Sequence, residues 1–181
     1  VGVSERLVPY LPAPRVERRD DDSYRVNFDL PQSIGYIGPF YGSFGVLAKA
    51  LAYMMRLGGN GLTRASEYAV LNANYLRKRL EDVLDIPFDR ICAHEFVASA
   101  PEGLRALDIA KGLLDRGIHA PTIYFPLIVK ECLMAEPTET ESKETLDEYV
   151  DALREIVAEG REHPEKLAAA PQSLPVRRLD E

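Results

Sequence analysis

A serine beside the start of a predicted helix is the first candidate for chemistry in this sequence. Residues 33–58, SIGYIGPFYGSFGVLAKALAYMMRLG, join a glycine-rich loop to a run with helical period. The free N–H groups at a helix N-terminus carry partial positive charge, so Ser43 could help to receive a phosphate or carboxylate there. The spacing is neither the dinucleotide fingerprint nor a P-loop. The alternative is that the glycines only permit a tight entry into a packed helix.

Other polar side chains suited to substrate contact lie later in the chain. His94 could orient a substrate group, or it could form a hydrogen bond in the core or at an interface. Thr122 and Tyr124 could present hydroxyl groups to a pocket, or they could satisfy backbone groups. The acidic stretch at 136–141, EPTETE, offers carboxylates for acid–base catalysis, but acids at a helix start also stabilise the helix.

The cysteines and histidines do not form a metal-binding pattern. Cys92 and Cys132 lie far apart, and neither C-x-x-C nor H-x3-H occurs with His94 or His119. Two separate thiols are typical of a reduced, cytosolic protein and give no disulfide framework. We expect no metal site.

Charge and hydropathy exclude several classes of function. The formal net charge is −7, and the basic residues are scattered, which argues against a nucleic-acid interface. No apolar run has the length that spans a bilayer, and no signal peptide is recognisable. We therefore expect a cytoplasmic protein that binds neither nucleic acid nor membranes. Because the first residue is Val1, we also expect a processed protein or a piece of a longer one.

Hydrophobic period predicts the elements that must position these side chains. Residues 24–28 alternate as in a short half-buried strand or a hairpin arm, whereas the prolines within 1–22 disfavour a helix. A helix begins near Phe44 and should bury one face. A turn at 58–61, with Asn60 as N-cap, then leads into a second helix at 62–83.

The second half alternates between strands and helices. The predicted elements are strands at 91–98, 122–129 and 132–135, helices at 104–115 and around the apolar positions 146–157, and a loosely packed tail from His163. Pro126 should place the second of these strands at an edge or a bulge. The order predicts an α+β fold in which a small sheet is covered by helices. Asn72 and Asn74 are unfavourable inside a helix, so we expect specific hydrogen bonds there, at an interface.

Five runs of this sequence resemble a known family. They are GSFGVLAKALAYMMRLG, EYAVLNANYLRKRL, HEFV, LDIAKGLLDRGIHAPTIYFPLIV and EPTETESKETLDEYVDAL. They are similar to the decarboxylating glycine dehydrogenase of the glycine cleavage system, and above all to the carboxyl-terminal part of subunit 2 of its two-subunit form. The resemblance extends over nearly the whole chain.

The resemblance implies the carboxyl-terminal small domain of the aminotransferase-like pyridoxal-phosphate fold. Residues 1–32 would be an extended lead-in from a missing large domain, 33–162 the small domain, and 163–181 an extended tail. The family's Schiff-base lysine lies in a His-Lys-Thr stretch that this sequence lacks. No catalytic residue is therefore expected in this chain, which would be inactive alone.

The resemblance also implies an activity and partners. The family decarboxylates glycine with pyridoxal phosphate, held mainly by the missing part, and transfers the aminomethyl group to a lipoyl carrier protein. The implied partners are the other glycine dehydrogenase subunit, the lipoyl carrier protein and glycine. The alternative is a non-catalytic binding or oligomerisation module that keeps the fold. A self-contained enzyme is the weakest hypothesis, because no nucleophile, base and orienting group occur together.

By resemblance, the glycine-rich loop approaches a cofactor site. This makes Tyr41, Ser43 and Phe44 the candidates for cofactor binding, and His94 and Thr122, with Tyr124, the substrate-pocket candidates. The family commonly has Gly-Asn-Phe-Gly where residues 42–45 read GSFG, and a more basic lead-in where residues 36–39 read YIGP. These departures weaken an anion-binding role for the loop.

Overall fold

The computed structural model describes residues 2–38 and 42–179, and its contacts divide the chain into two units. The first unit is Val1–Gly58 and the second is Gly59–Glu181. The helix α1, Phe44–Leu80, passes from one unit into the other. Among the described helices, none is long and apolar enough to cross a membrane.

The first unit holds a hairpin that the sequence predicted only in part. Strands β1, Arg15–Arg18, and β2, Tyr24–Asn27, pair antiparallel, with Val16 opposite Val26. The hairpin arm predicted at 24–28 is therefore confirmed. The lead-in is not fully extended, because Glu5–Tyr10 form a 3-10 helix. Pro9 is compatible with that short element, although proline disfavours the interior of an α-helix.

The two predicted helices are confirmed, since α1 consists of two helical segments that meet at a kink. Only Gly58 is non-helical within it, at φ 64°, so the predicted turn at 58–61 narrows to one residue and Asn60 lies inside the helix. Glycine suits this left-handed backbone position because it has no Cβ. The face around Phe44, predicted to be buried, is exposed in this chain, and Phe44 itself is 83% exposed.

A three-stranded antiparallel sheet forms the second unit's β layer. Its order is β3, Phe96–Ser99, then β5, Cys132–Ala135, then β4, Thr122–Ile123. Phe96 lies opposite Ala135, and Thr122 lies opposite Met134. A single backbone bridge between Asp85 and Ser99 covers part of the outer edge of β3.

Three helices complete the second unit. They are α2, Ala106–Asp115, α3, Lys143–Glu162, and α4, Pro164–Ala168. Ser142 caps α3, since its Oγ accepts a hydrogen bond from the N–H of Thr145 at 3.2 Å. The core combines apolar faces of these elements and of α1, and its most buried large members are Leu80, Ile109, Leu113, Val150, Leu153 and Ile156. This architecture confirms the predicted α+β class.

Two predicted strands are shorter than expected. The strand predicted at 91–98 begins only at Phe96, because the side-chain amide of Asn74 bonds both backbone groups of Cys92. Phe96 and Ala98 share a buried face, whereas Cys92 and His94 precede the strand. The strand predicted at 122–129 ends at Ile123, because Tyr124 has φ 60° and leaves the extended region.

The tail is anchored, which corrects the prediction of an extended, loosely packed segment. Leu167 in α4 is buried, and a Cβ placed at Gly160 of α3 would lie 2.6 Å from Leu167 Cδ2. Farther on, Arg178 donates to the carboxylate of Asp108 on α2 at 2.5 Å. Leu167 and Ala170 are both buried and lie three residues apart, which is a helical spacing. Two positions are too few to reveal a helix by their hydrophobic period in the sequence.

Candidate functional site

The predicted cofactor contacts belong to the first unit. Ser43 directly precedes α1, and its carbonyl oxygen accepts the hydrogen bond of the Leu47 N–H at 3.0 Å. Gly42 has φ 104°, a left-handed backbone position that glycine adopts easily because it has no Cβ. Tyr41 lies outside the described residues. A cofactor role for Tyr41, Ser43 and Phe44 stays a prediction.

The predicted substrate contacts are spread along the sheet of the second unit. His94 Nε2 lies 3.8 Å from a carboxylate oxygen of Glu136, just beyond one end of β5. Tyr124 donates its N–H to the carbonyl of Cys132, at the other end of that strand, 2.9 Å away. Four residues of extended chain span about 13 Å. The structure therefore does not gather His94 and Tyr124 into one cluster, and Thr122 lies between them on β4.

The second unit also contains a cavity of about 570 Å³. It lies between the turn at 116–121, the loop at 135–138 and the start of α3. Its charged lining side chains are Arg116, Glu136, Glu141 and Glu148. His94, Thr122 and Tyr124 are not among its lining residues. Three carboxylates against one guanidinium make this cavity unfavourable for a phosphate group.

The guanidinium of the cavity is already engaged, and its tyrosine hydroxyl is uncharged. Arg116 donates to the Gly112 carbonyl at 3.3 Å and pairs with Glu159 at 3.3 Å. Burial raises the pKa of the Tyr149 hydroxyl, so this group stays protonated at neutral pH. No group of three or more His, Cys, Asp or Glu side chains within 2–38 and 42–179 could hold a metal ion. The cavity can therefore offer neutral hydrogen bonds and carboxylates, but no free cation for a phosphate.

The two unusual asparagines of α1 bind other segments of the same chain. Asn72 donates to the carbonyls of Thr138 and Glu141, at 2.9 and 3.3 Å, and so fixes the acidic stretch against the helix. Asn74 donates to the Cys92 carbonyl at 2.8 Å. The expectation of specific hydrogen bonds is confirmed, but these bonds lie within the chain and not at an interface.

The lysines of this chain are poorly placed to bind an aldehyde cofactor. None of the six is buried, and none lines the cavity. Lys78 pairs with Glu81 and Lys143 with Asp147, each at 2.5 Å. The hydrogen bond to Asp147 raises the pKa of Lys143 and keeps it protonated. Because a Schiff base needs a neutral amine, the described residues do not form a complete pyridoxal-phosphate site.

Borohydride trapping tests this conclusion directly. After incubation of the chain with pyridoxal phosphate and reduction, we expect scattered labelling or none, because exposed protonated amines react slowly and without selectivity. Intact mass and peptide mapping give the stoichiometry and the position. The same treatment in denaturant is the control and should give a similar pattern. One stoichiometric adduct on a single lysine would contradict the absence of a Schiff-base lysine.

A match to a protein-family model over most of the second unit identifies the family. The model of the family "Glycine dehydrogenase, C-terminal domain" matches residues 65–174, which is more than half of the chain. The chain belongs to this family. The resemblance seen in the five sequence runs is thereby confirmed.

The relatives of this glycine dehydrogenase C-terminal domain are longer than the chain itself. It is 54% identical over its whole length to the "Probable glycine dehydrogenase (decarboxylating) subunit 2" of Halalkalibacterium halodurans, and it covers 38% of that protein. It is 51% identical to the protein of the same name from Fervidobacterium nodosum and covers 39% of it. The chain thus spans less than half the length of the curated relatives that it matches.

Solved structures agree on the fold. A crystal structure of glycine decarboxylase, the P-protein of the glycine cleavage system, matches 83% of this chain and 37% of its own with a TM-score of 0.69 at 20% identity. The cysteine desulfurase of Thermococcus onnurineus matches 86% of this chain and 42% of its own, with a TM-score of 0.61 at 19% identity. These likenesses confirm the predicted small-domain fold of the aminotransferase-like class.

Sequence reasoning missed a group of exposed apolar side chains beside Tyr124. The apolar run TIYFPLIV predicts a strand, yet Leu127 and Ile128 are 86% and 82% exposed. The signal that could have revealed them is Pro126, which interrupts the run and lacks the N–H that a paired strand needs. A proline within an apolar run thus marked a loop.

Proposed function

We propose that this chain is the carboxyl-terminal part of a pyridoxal-phosphate-dependent glycine decarboxylase. In the assembled enzyme, glycine loses carbon dioxide, and its aminomethyl group passes to a lipoyl carrier protein. The chain is inactive alone. We further propose that residues 33–162 form the small domain, with 1–32 as the lead-in from the large domain and 163–181 as the tail.

One observation carries this proposal. The whole chain aligns at 54% identity with a glycine dehydrogenase subunit 2, and it accounts for 38% of that protein. A match at this identity over the whole chain supports a shared role for the aligned part. The remaining length of the relative is available to supply what the described residues lack.

In this proposal the chain supports the pyridoxal-phosphate site structurally and supplies no catalytic residue. Pyridoxal phosphate, when bound, supplies the electron sink for decarboxylation. The described residues offer it no suitable lysine and no cationic cavity, so the amine and the phosphate contacts come from the remainder of the enzyme. Ser43 and Phe44 at the start of α1, with Tyr41, remain our candidates for one wall of the cofactor site. His94, Thr122 and Tyr124 remain the candidates on the substrate side.

The name "subunit 2" supports a second glycine dehydrogenase subunit as partner. We propose that the assembly binds glycine and docks the lipoyl carrier protein in the cytoplasm. The negative net charge of this chain supports the absence of a nucleic-acid partner.

A chimeric enzyme tests the proposed function. This chain replaces the aligned carboxyl-terminal part of the Halalkalibacterium halodurans relative, and the chimera is produced with the other subunit and a lipoyl carrier protein. We expect release of carbon dioxide from carboxyl-labelled glycine by the chimera, and none by the chain alone, because the lysine comes only with the remainder. The unaltered relative is the positive control.

Two results would contradict the proposal. Decarboxylation by the 181-residue chain alone would show that it is self-sufficient. A chimera that folds and binds pyridoxal phosphate but releases no carbon dioxide would instead favour the alternative, a non-catalytic binding module. The poor placement of all six lysines is the observation that keeps this alternative open.

A further inference from the structure

An apolar loop projects from the sheet of the second unit. We define the apolar loop as residues 124–128, YFPLI, which follow β4 in the connection between β4 and β5. Its four large side chains, Tyr124, Phe125, Leu127 and Ile128, are all exposed, and none of the five residues carries a charge. A contiguous exposed apolar patch on a folded domain marks an interaction surface.

The apolar loop is held in place by hydrogen bonds at both ends. The Tyr124 N–H donates to the Cys132 carbonyl, and the Cys132 thiol donates to the Phe125 carbonyl, each at 2.9 Å. At the other end the N–H of Val129 donates to the carbonyl of Pro126 at 3.0 Å, and Val129 is buried. The exposure of the loop is therefore a property of the ordered fold and not of a frayed segment.

The segment after the loop is also fixed to its surroundings. Glu131 has φ 46°, a strained backbone position, and its carboxylate accepts the Ala106 N–H of α2 at 2.7 Å. The Ala100 N–H donates to the Glu131 carbonyl at 2.9 Å. These contacts fix the backbone at the base of the loop that carries Leu127 and Ile128. A preorganised surface loses little conformational entropy when it is covered.

We propose that the apolar loop docks on the part of the glycine dehydrogenase chain that the relatives possess and this chain does not span. This inference rests on the proposed function. More than half of each matched relative lies outside the aligned segment, so a large folded surface is available to cover the loop. In one polypeptide that surface is held at high effective concentration, which favours it over a second copy of this chain. The uncharged loop requires an apolar groove in its partner.

Cysteine accessibility tests the docking. Ile128→Cys is introduced into the 181-residue chain and into the chimera with the Halalkalibacterium halodurans relative, and labelling by a maleimide is followed by peptide mapping. We expect the labelling rate at position 128 to be at least about tenfold lower in the chimera than in the 181-residue chain. The loop must first separate from the surface that covers it before the maleimide can reach the thiol. Asp151→Cys is the matched control, since Asp151 on α3 has a side chain that is 67% exposed and polar. Its labelling rate should be the same in both proteins.

Equal labelling rates at position 128 in the two proteins would overturn the proposal. Slow labelling already in the 181-residue chain would also overturn it, and a dependence on protein concentration would then identify a second copy as the occupant. Leu127→Cys repeats the measurement if Ile128→Cys disturbs folding. Glycine decarboxylation by the chimera is read separately. A protected loop in an inactive chimera supports docking without the function, and an accessible loop in an active chimera supports the function without docking.

Discussion

In a chain that already carries Leu167→Ala, Gly160→Ala is expected to have no cost or to stabilise the fold, although Gly160→Ala alone destabilises it. A Cβ at Gly160 would lie 2.6 Å from Leu167 Cδ2 and 3.0 Å from Leu104 Cδ2. Such overpacking costs about 1–3 kcal/mol, partly offset by the better helix propensity of alanine, worth about 1 kcal/mol. Leu167→Ala alone should cost about 3 kcal/mol, because it leaves a cavity.

The double variant reverses the sign because the new methyl group enters the space that Leu167 leaves. The coupling should reach about 1–2 kcal/mol, as expected for side chains in direct contact. Urea unfolding followed by far-UV circular dichroism measures all four proteins. Gly59→Ala is the control, since a Cβ there meets no heavy atom within 4 Å, and it should not interact with Leu167→Ala. Additive effects of the substitutions at 160 and 167 would show that α4 does not pack on α3.

Asp108→Ala is expected to lower the free energy of unfolding at neutral pH by about 3 kcal/mol, because it leaves a partly buried cation without its partner. Asp108 is only 8% exposed. Its carboxylate accepts two hydrogen bonds from Arg105 at 2.8 Å and one from Arg178 at 2.5 Å. The substitution therefore weakens α2 and releases the tail together.

The effect of Asp108→Ala should depend on pH with a defined sign. Burial opposes charge on Asp108, but the hydrogen bonds from Arg105 and Arg178 outweigh it and lower its pKa. A lowered folded-state pKa stabilises the fold above the unfolded value of about 3.9, and this contribution is lost as the pH falls further. Wild type and variant should therefore converge in acid.

Urea midpoints at neutral pH and near pH 3 measure this convergence, with both proteins at equal ionic strength. Asp151→Ala is the control, because its pair with Arg154 at 3.5 Å is exposed and should contribute less than about 1 kcal/mol. A constant difference between wild type and Asp108→Ala across this range would exclude the charged carboxylate as the source of the stability.

The sequence predicted the elements whose pattern is local and long. Helices α2 and α3 agree with their hydrophobic period, and Gly117 follows α2 with φ 72° as a helix-ending glycine should. Five sequence runs were enough to indicate the family, although they did not reveal which residues approach one another. The hydrophobic period of the sequence predicted the helices and the sheet, but it did not predict the contacts between them.

The remaining features depend on contacts between distant residues. The late start of β3 follows from the amide of Asn74, which occupies the backbone groups of Cys92. The tail is anchored by Arg178, which reaches an aspartate 70 residues earlier in the chain. For the same reason the sequence could not show that His94 and Tyr124 lie at opposite ends of β5.

The edges of the three-stranded sheet limit one way in which this chain can associate. The outer strand β4 is only two residues long, and the bridge from Asp85 occupies Ser99 at the end of β3. Short or occupied edges offer few free N–H and C=O groups to a strand of another molecule. Growth of this three-stranded sheet into a shared, cross-molecule sheet is therefore disfavoured. Self-association of the isolated chain should instead be mediated by side chains, and it should be reversed by mild detergent without loss of β-structure.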